Sequence, residues 1–199
     1  MMDLALIDAG GANLGSVRYA LERLGVDARL VRDAGELAGA QRIVLPGVGA
    51  AAPAMAALRA GGFVEALRTS TVPLLGICLG MQLLYAHSDE GDVDCLGLLP
   101  GRVAGMARSP STRVPHMGWN RLRQRRPSAL LDGIPDGAWA YFVHGYAAPV
   151  DEACVADSVH GGAFAAVVQQ GHVAGAQFHP ERSADAGARL LSNFIGSRG

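Results

Sequence analysis

The period of the apolar positions changes along the chain. Leu4-Ala-Leu-Ile7 is an unbroken apolar run of strand length, and Leu14, Val17, Leu21 and Leu24 then recur on one helix face until Gly25 ends the helix. Ala28–Val31 and Arg42–Leu45 read as the next strands. A helical region between Pro53 and Arg68 is punctuated by Gly61 and Gly62, and Pro73–Ile77 and Met81–Ala86 follow as strand and helix. Strands alternating with helices predict a parallel sheet covered on both faces, because parallel neighbours need a crossover of helix length.

From Leu96 onward the rhythm differs. Candidate strands Arg102–Ala104, Arg113–Trp119, Ala138–Val143, Ala153–Ala156, Phe164–Val168 and Val173–Phe178 follow one another through Gly, Pro and Asp turns, which predicts antiparallel additions. Leu190, Leu191, Phe194 and Ile195 mark a closing helix. Without a repeat, low-complexity tract or linker, residues 1–199 are expected to form one α/β domain around a central, mostly parallel sheet.

Composition narrows the classes. The 199 residues suffice for one full core, and 50% hydrophobic with 6% aromatic residues suits an aliphatic α/β interior. A formal charge of −1 gives no reason to expect nucleic acid or an anionic membrane as partner. Cys78, Cys95 and Cys154 lack metal-ligand spacing and cannot all pair within the chain, so no metal and no disulfide framework is expected. With no leader-like start and no run of bilayer-spanning length, a soluble cytoplasmic protein is expected.

The segment Val72-Pro-Leu-Leu-Gly-Ile-Cys-Leu-Gly-Met-Gln-Leu-Leu84 runs an apolar strand into an apolar helix through Gly76-Ile-Cys-Leu-Gly80. That is the form of a nucleophile elbow with cysteine in the place of serine. The glycines leave room for a sharp turn that lifts the Cys78 sulfur clear of the backbone, near the first N–H groups of the helix. An ordinary thiol has a pKa of about 8.5, and a helix N-terminus or cationic neighbour favours the reactive thiolate. The alternative is a buried cysteine that only packs.

Gly175-Ala-Gln-Phe-His-Pro-Glu181 ends another apolar run and sets His179 and Glu181 two residues apart, on the same side of an extended chain. A carboxylate there can orient the imidazole, which can serve Cys78 as base and then as acid. Without Cys78, the segment would read as a surface turn after a strand. Leu45-Pro-Gly-Val-Gly-Ala50 follows a strand, and its glycines let backbone N–H groups approach a ligand or a developing oxyanion. Gln82 lies one helical turn beyond Cys78, where it can bind an amide substrate or face solvent.

Gly76-Ile-Cys-Leu-Gly-Met-Gln82 together with Phe178-His-Pro-Glu181 resembles the class I (triad) glutamine amidotransferases. Asn13-Leu-Gly-Ser-Val17, Leu45-Pro-Gly-Val-Gly49, Val114-Pro-His-Met-Gly-Trp-Asn120, Tyr141-Phe-Val-His144 and Phe178-His-Pro-Glu-Arg-Ser183 narrow the resemblance to the glutaminase subunits of imidazole glycerol phosphate synthases. The resemblance implies Cys78 as nucleophile, His179 as general base and acid, and Glu181 as its orienter. It further implies that Gln82 and Glu90 contact the amino-acid end of glutamine and that Gly47 lines its pocket. The Val48–Gly49 peptide and the Leu79 N–H would form the oxyanion hole. Asn13, Trp119, Tyr141 and Arg182 would lie near the interface with a cyclase, which is a separate (β/α)8 barrel that receives the ammonia within a heterodimer and converts a ribulosyl precursor. No cofactor is implied.

The chain departs from the family pattern at four places. Asp8-Ala-Gly-Gly-Ala-Asn13 lacks an aromatic and shifts a glycine, and Ala50-Ala-Ala-Pro53 replaces an aromatic and an acid. Gly145 stands for a hydroxyl residue and Arg182 for lysine, a pair that differ in geometry. Rival readings are another small amidotransferase, such as one serving pyridoxal phosphate synthesis, a cysteine hydrolase, or a silent regulatory module. Arg121, Arg123, Arg125 and Arg126 read as a solvated face or turn, since no aromatics interleave them. Cys95 and Cys154 read as packing thiols, and His116 and His144 as supports of the site or interface.

Overall fold

The computed structural model describes residues 2–8, 10 and 13–196. The first half holds β1 (Leu4–Ile7), α1 (Leu14–Arg23), β2 (Ala28–Val31), β3 (Arg42–Gly47), α2 (Ala51–Ala60), α3 (Phe63–Thr69), β4 (Leu74–Cys78) and α4 (Leu79–Gln82). The second half holds β5 (His87–Ser88), β6 (Val93–Asp94), β7 (Arg102–Gly105), β8 (His116–Arg121), β9 (Arg123–Gln124), β10 (Trp139–His144), β11 (Tyr146–Ala147), β12 (Cys154–Val159), β13 (Ala163–Gln170), β14 (Val173–Ala176) and α5 (Ala184–Gly196).

Eight strands form one sheet in the order β2-β1-β3-β4-β14-β13-β12-β9. Neighbours are parallel from β2 through to β14 and antiparallel from there to β9. Alternate β1 residues enter opposite cores. Leu4 and Leu6 pack with Val17 and Leu21 of α1 and Leu190 and Phe194 of α5, whereas Ala5 and Ile7 pack with Met55 and Leu58 of α2 and Phe63 of α3. Burial on both faces explains why these strands are continuous apolar runs.

Several boundaries differ from the pattern-based reading. The run after Cys78 is helical only over Leu79–Gln82, not Met81–Ala86. The carbonyls of Leu83, Leu84 and Tyr85 accept instead from the N–H groups of Leu96, Leu98, Leu99 and Gly97, so a distant loop takes the acceptors a longer helix would use. The strand placed at Arg113–Trp119 begins only at His116, because Pro115 has no N–H for a ladder, and it continues to Arg121 opposite Trp139. Two-residue strands β5, β6, β9 and β11 are too short to leave a periodic signal. Strand β14 is antiparallel to β13 as expected, yet its other edge is parallel to β4, with Gly175 opposite Gly76. The departure at 8–13 falls partly on residues 9, 11 and 12, outside the described residues. Among the described residues, no helix is long and apolar enough to cross a membrane.

Close packing between β3, β4 and α4 needs glycine at two positions. A Cβ on Gly80 would sit 1.8 Å from the Leu45 carbonyl oxygen, and one on Gly76 would sit 2.6 Å from the Gly80 carbonyl oxygen. Both obstacles are backbone, which no rotamer change can clear. Gly80→Ala is therefore expected to destabilise the chain by about 3 kcal/mol or more, read as a lowered midpoint in urea unfolding; a midpoint unchanged from the parent would show that α4 can move off β3.

Candidate active site

Cys78 is both the last residue of β4 and the N-cap of α4, with φ 53° and ψ −112°. A non-glycine residue in such a backbone costs about 1–3 kcal/mol and persists only where surroundings impose it. Here the imposition comes from the strand on one side and the glycine-tight contact of α4 on the other. The sulfur lies 3.8 Å from the Val143 carbonyl oxygen and 3.8 Å from Gln177 Nε2.

Parallel pairing of β14 with β4 carries the chain beyond β14 to the same sheet end as Cys78. His179 is extended, and Pro180–Arg182 then forms a single 3-10 turn with proline at its start. Glu181 thus reaches His179 around a turn rather than along the extended chain expected from the spacing. Its Oε1 accepts from His179 Nδ1 at 2.8 Å. That bond puts the Nδ1 proton toward the carboxylate. Burial opposes charge on the ring, but the bonds to Cys78 and Glu181 outweigh it and push the pKa up to about 10. Burial likewise tends to raise the Glu181 carboxyl, and the bonds from His179 and Asn13 hold it below its ordinary range.

The backbone around His179 is tied to β10. His179 N–H donates to the Tyr141 carbonyl at 3.0 Å and the Tyr141 N–H to Ser183 Oγ at 2.9 Å, while the Ser183 hydroxyl donates to the His179 carbonyl at 2.7 Å. Asn13 Nδ2 donates to Glu181 Oε1 at 2.7 Å, so its side chain is set on the carboxylate within the chain. Arg182 is exposed and makes no ion pair among the described residues.

A cavity of about 300 Å³ opens beside the sulfur, lined by Val48, Gly49, Cys78, Leu79, Gln82, Glu90, Val143, His144, Gly145, Tyr146 and His179. That is the low end of small-molecule pockets and suits a single amino acid. Gln82 is buried rather than solvated, and its amide N–H2 donates to the Tyr146 carbonyl at 2.8 Å and to Gln177 Oε1 at 2.9 Å. Its oxygen is left as the atom it can offer a ligand. Glu90 Oε2 accepts from the Ala51 N–H at 3.0 Å, which caps α2 where Ala50 has no side-chain oxygen to do so. Burial raises the Glu90 carboxyl against that bond, a cost that a ligand cation in the pocket would relieve. Gly47 is in the last position of β3, opposite Cys78, and a Cβ there would meet the Gly80 nitrogen at 2.7 Å.

Other expectations resolve around this frame. Arg121, Arg123, Arg125 and Arg126 are exposed, as a solvated face would be, and three of them are also anchored: Arg123 and Arg125 bond the buried carboxylate of Asp157, and Arg126 donates to the Glu152 and Gln169 carbonyls. The cause is β9, which adds beside β12 and brings its arginines over Asp157. Cys95 and Cys154 are buried, and burial pushes each thiol up to about 11. Gln177 and Ser183 join the site without having stood out in the sequence as site residues. Gln177 had a signal, an amide inside an otherwise apolar strand run; Ser183 had none beyond its place in the matched motif.

The class-I glutamine amidotransferase family model matches residues 5–196. The chain is 69% identical over 195 residues, 98% of both chains, to the imidazole glycerol phosphate synthase subunit HisH of Xanthomonas axonopodis pv. citri (strain 306). It is 65% identical over the same shares to the HisH subunit of Xylella fastidiosa (strain Temecula1 / ATCC 700964). Among solved structures, a chain of PurLQS from Thermotoga maritima superposes with a TM-score of 0.73 at 21% identity, covering 98% of this chain and 98% of that one, which speaks to the fold alone. A family match over nearly the whole length, on a fold that brings cysteine, histidine and glutamate to one sheet end, makes this chain a member of the class-I glutamine amidotransferase family.

Proposed function

We propose that this amidotransferase is the glutaminase subunit of an imidazole glycerol phosphate synthase, with Cys78 as nucleophile, His179 as base and acid, and Glu181 as its orienter. The observation that carries the reading is the His179 ring bonded to the Glu181 carboxylate at 2.8 Å and lining one cavity with Cys78. The Cys78 sulfur attacks the amide carbon of glutamine, and charge develops on the carbonyl oxygen. The Leu79 N–H, at the start of α4, and the Val48–Gly49 peptide receive it. His179 then gives its proton to the departing nitrogen, so the C–N bond breaks and ammonia leaves a γ-glutamyl thioester on Cys78. Water, deprotonated by His179, cleaves that thioester to glutamate. The Glu90 carboxylate and the Gln82 oxygen hold the α-ammonium end, and Gly47, which is not in the cavity lining, lets β3 pack against the Gly80 backbone beside the pocket.

The ammonia is delivered to a cyclase barrel docked, as a heterodimer, on the outer face of the β8–β10 ribbon. Met117, Trp119 and Trp139 are 65%, 50% and 51% exposed there, Tyr141 packs edge-on against Trp119, and Arg182 is exposed nearby without an ion pair among the described residues. An exposed aromatic face of this kind is characteristic of an interface rather than of a free surface. Asn13 contributes through Glu181, and any contact of its own with the barrel is secondary to that bond.

The reading is tested by mixing the chain with a cyclase barrel, glutamine and the ribulosyl precursor (PRFAR), then following glutamate, imidazole glycerol phosphate and the aminoimidazole carboxamide ribonucleotide (AICAR) together. Matched yields are expected with both subunits, slow glutamate release from this chain alone, and none from Cys78→Ala. Glutamate released without the imidazole product would assign the ammonia to another acceptor.

Two further outcomes follow from the charges. A histidine pKa raised to about 10 keeps the ring protonated through the neutral range, so the rate is expected to fall only as pH climbs through that value. Glu181→Gln removes a bond that favours the charged ring; it should move the alkaline limb of kcat to lower pH and reduce kcat about 100-fold. A limb that stays in place would remove Glu181 from the orienting role. At the docking face, Trp119→Ala is expected to weaken barrel binding about 10- to 100-fold by calorimetry while the melting temperature of the isolated chain holds. Unchanged affinity would move the interface elsewhere.

A further inference from the structure

A second group of imidazoles lies behind the pocket, outside the groups that the reaction uses. His144 Nδ1 is 2.8 Å from the Tyr146 carbonyl oxygen, His116 Nδ1 is 3.1 Å from His144 Nε2, and Asn120 Nδ2 is 3.3 Å from His116 Nε2. Each ring nitrogen can donate or accept, but the two ends of this series have fixed polarity. The Asn120 side chain is oriented by two backbone bonds, its oxygen accepting from the Arg121 N–H at 2.8 Å and its Nδ2 donating to the Val159 carbonyl at 3.0 Å. An amide N–H2 can only donate, so His116 Nε2 accepts and the His116 proton is on Nδ1. At the other end a carbonyl can only accept, so the His144 proton is on Nδ1 and its Nε2 is a lone pair. The two deductions meet at the central contact, where His116 Nδ1–H donates to His144 Nε2. Both rings are neutral in this arrangement, in keeping with burial that pushes each pKa down to about 4.

We infer that His116 and Asn120 are positioning residues for glutamine, the far members of a directed hydrogen-bond chain that runs through His144 and holds the Tyr146 carbonyl in the pocket wall. The inference rests on the glutaminase reading for its ligand. Tyr146 and Gly145 line the cavity beside Cys78, and the Tyr146 oxygen is bonded from two sides, by His144 Nδ1 and by Gln82 Nε2 at 2.8 Å each. The Gly145 carbonyl accepts from the Met106 N–H at 2.9 Å. The wall and the Gln82 amide are therefore set by one shared acceptor. Packing alone does not call for a histidine at 116. Its ring stacks 5.0 Å from Phe142 and 4.1 Å from His160, with Phe164 edge-on at 5.7 Å, contacts that a phenyl ring would make as well. What a phenyl ring lacks is the Nδ1 donor. Without it His144 Nε2 is a buried acceptor left unpaired, and the ring can find another donor only by turning away from the Tyr146 carbonyl.

Asparagine at 116 places an amide nitrogen near the position of Nδ1, and glutamine places one near Nε2. The full chain with its cyclase partner, in parent form and as His116→Phe, His116→Asn and His116→Gln, is assayed for glutamate release, with the His144 tautomer read by nitrogen NMR without substrate. His116→Phe and His116→Gln are expected to raise the KM for glutamine about 10-fold with kcat within about twofold, and His116→Asn to restore KM to within about threefold of the parent. The parent His144 should carry its proton on Nδ1. A proton on Nε2, or asparagine and glutamine variants with the same KM, would overturn the chain. The tautomer needs no substrate, so a failure of the glutaminase reading would show separately, as a parent that releases no glutamate.

Discussion

The parallel contact between β14 and β4 is the constraint on which the molecule's chemistry depends. It joins the two halves of the fold, one a βαβ series and the other a run of antiparallel strands, edge to edge in a single sheet. Because the strands are parallel and paired with Gly175 opposite Gly76, they end at the same side. Cys78, at the end of one strand, and His179, just beyond the other, consequently meet. An antiparallel pairing at that edge would have sent His179 to the opposite end of the sheet, and no local change could have brought it back.

Holding that meeting point has local costs that the packing offsets. Cys78 keeps a positive φ, His179 and Glu181 are buried with charge, and α4 lies so close to β3 that Gly80 has no room for a methyl group. The opposing contributions are specific. Buried apolar strands on both sheet faces secure β3, β4 and β14; the Ser183 hydroxyl and the Tyr141 backbone tie down the His179 loop; and Asn13 supplies Glu181 with a second donor. Breaking one partner of such a buried, bonded group costs more than the bond itself contributes, because the remaining partner is left without water.

Much of this was legible from residue order. The strands β1 and β2 match the segments read as strands residue for residue, and the glycine doublet at 61–62 punctuates the helical region as expected. The elbow was readable because glycine, cysteine and glycine on a strand-to-helix boundary have few other uses. What could not be read was anything set by a distant partner. Helix α4 stops after Gln82 because Leu96 to Leu99 take the following carbonyls, and β14 sits inside the sheet because β4 has a free edge there. Asn13 looks like a loop residue until the 3-10 turn at 180–182 brings Glu181 beneath it. The histidines at 116 and 144 have no sequence spacing in common; only the β8–β10 register sets them opposite each other.

That register also explains how one small ribbon can serve two surfaces. Alternation along β8 and β10 sends Met117, Trp119, Arg121, Trp139 and Tyr141 outward, with Arg121 over the Trp139 ring, and His116, Asn120, Phe142 and His144 inward. The backbone of β10 meanwhile holds the His179 loop through Tyr141 and approaches the Cys78 sulfur through the Val143 carbonyl. A two-stranded ribbon has little stiffness of its own and relies on what it packs against. Here its inner face is secured by a polar chain as well as by aromatic contacts, and polar bonds specify register and rotation more narrowly than apolar packing does. A partner pressing on the outer aromatics would therefore act on a rigid plate, displacing the Tyr141 and Val143 carbonyls together rather than one residue at a time.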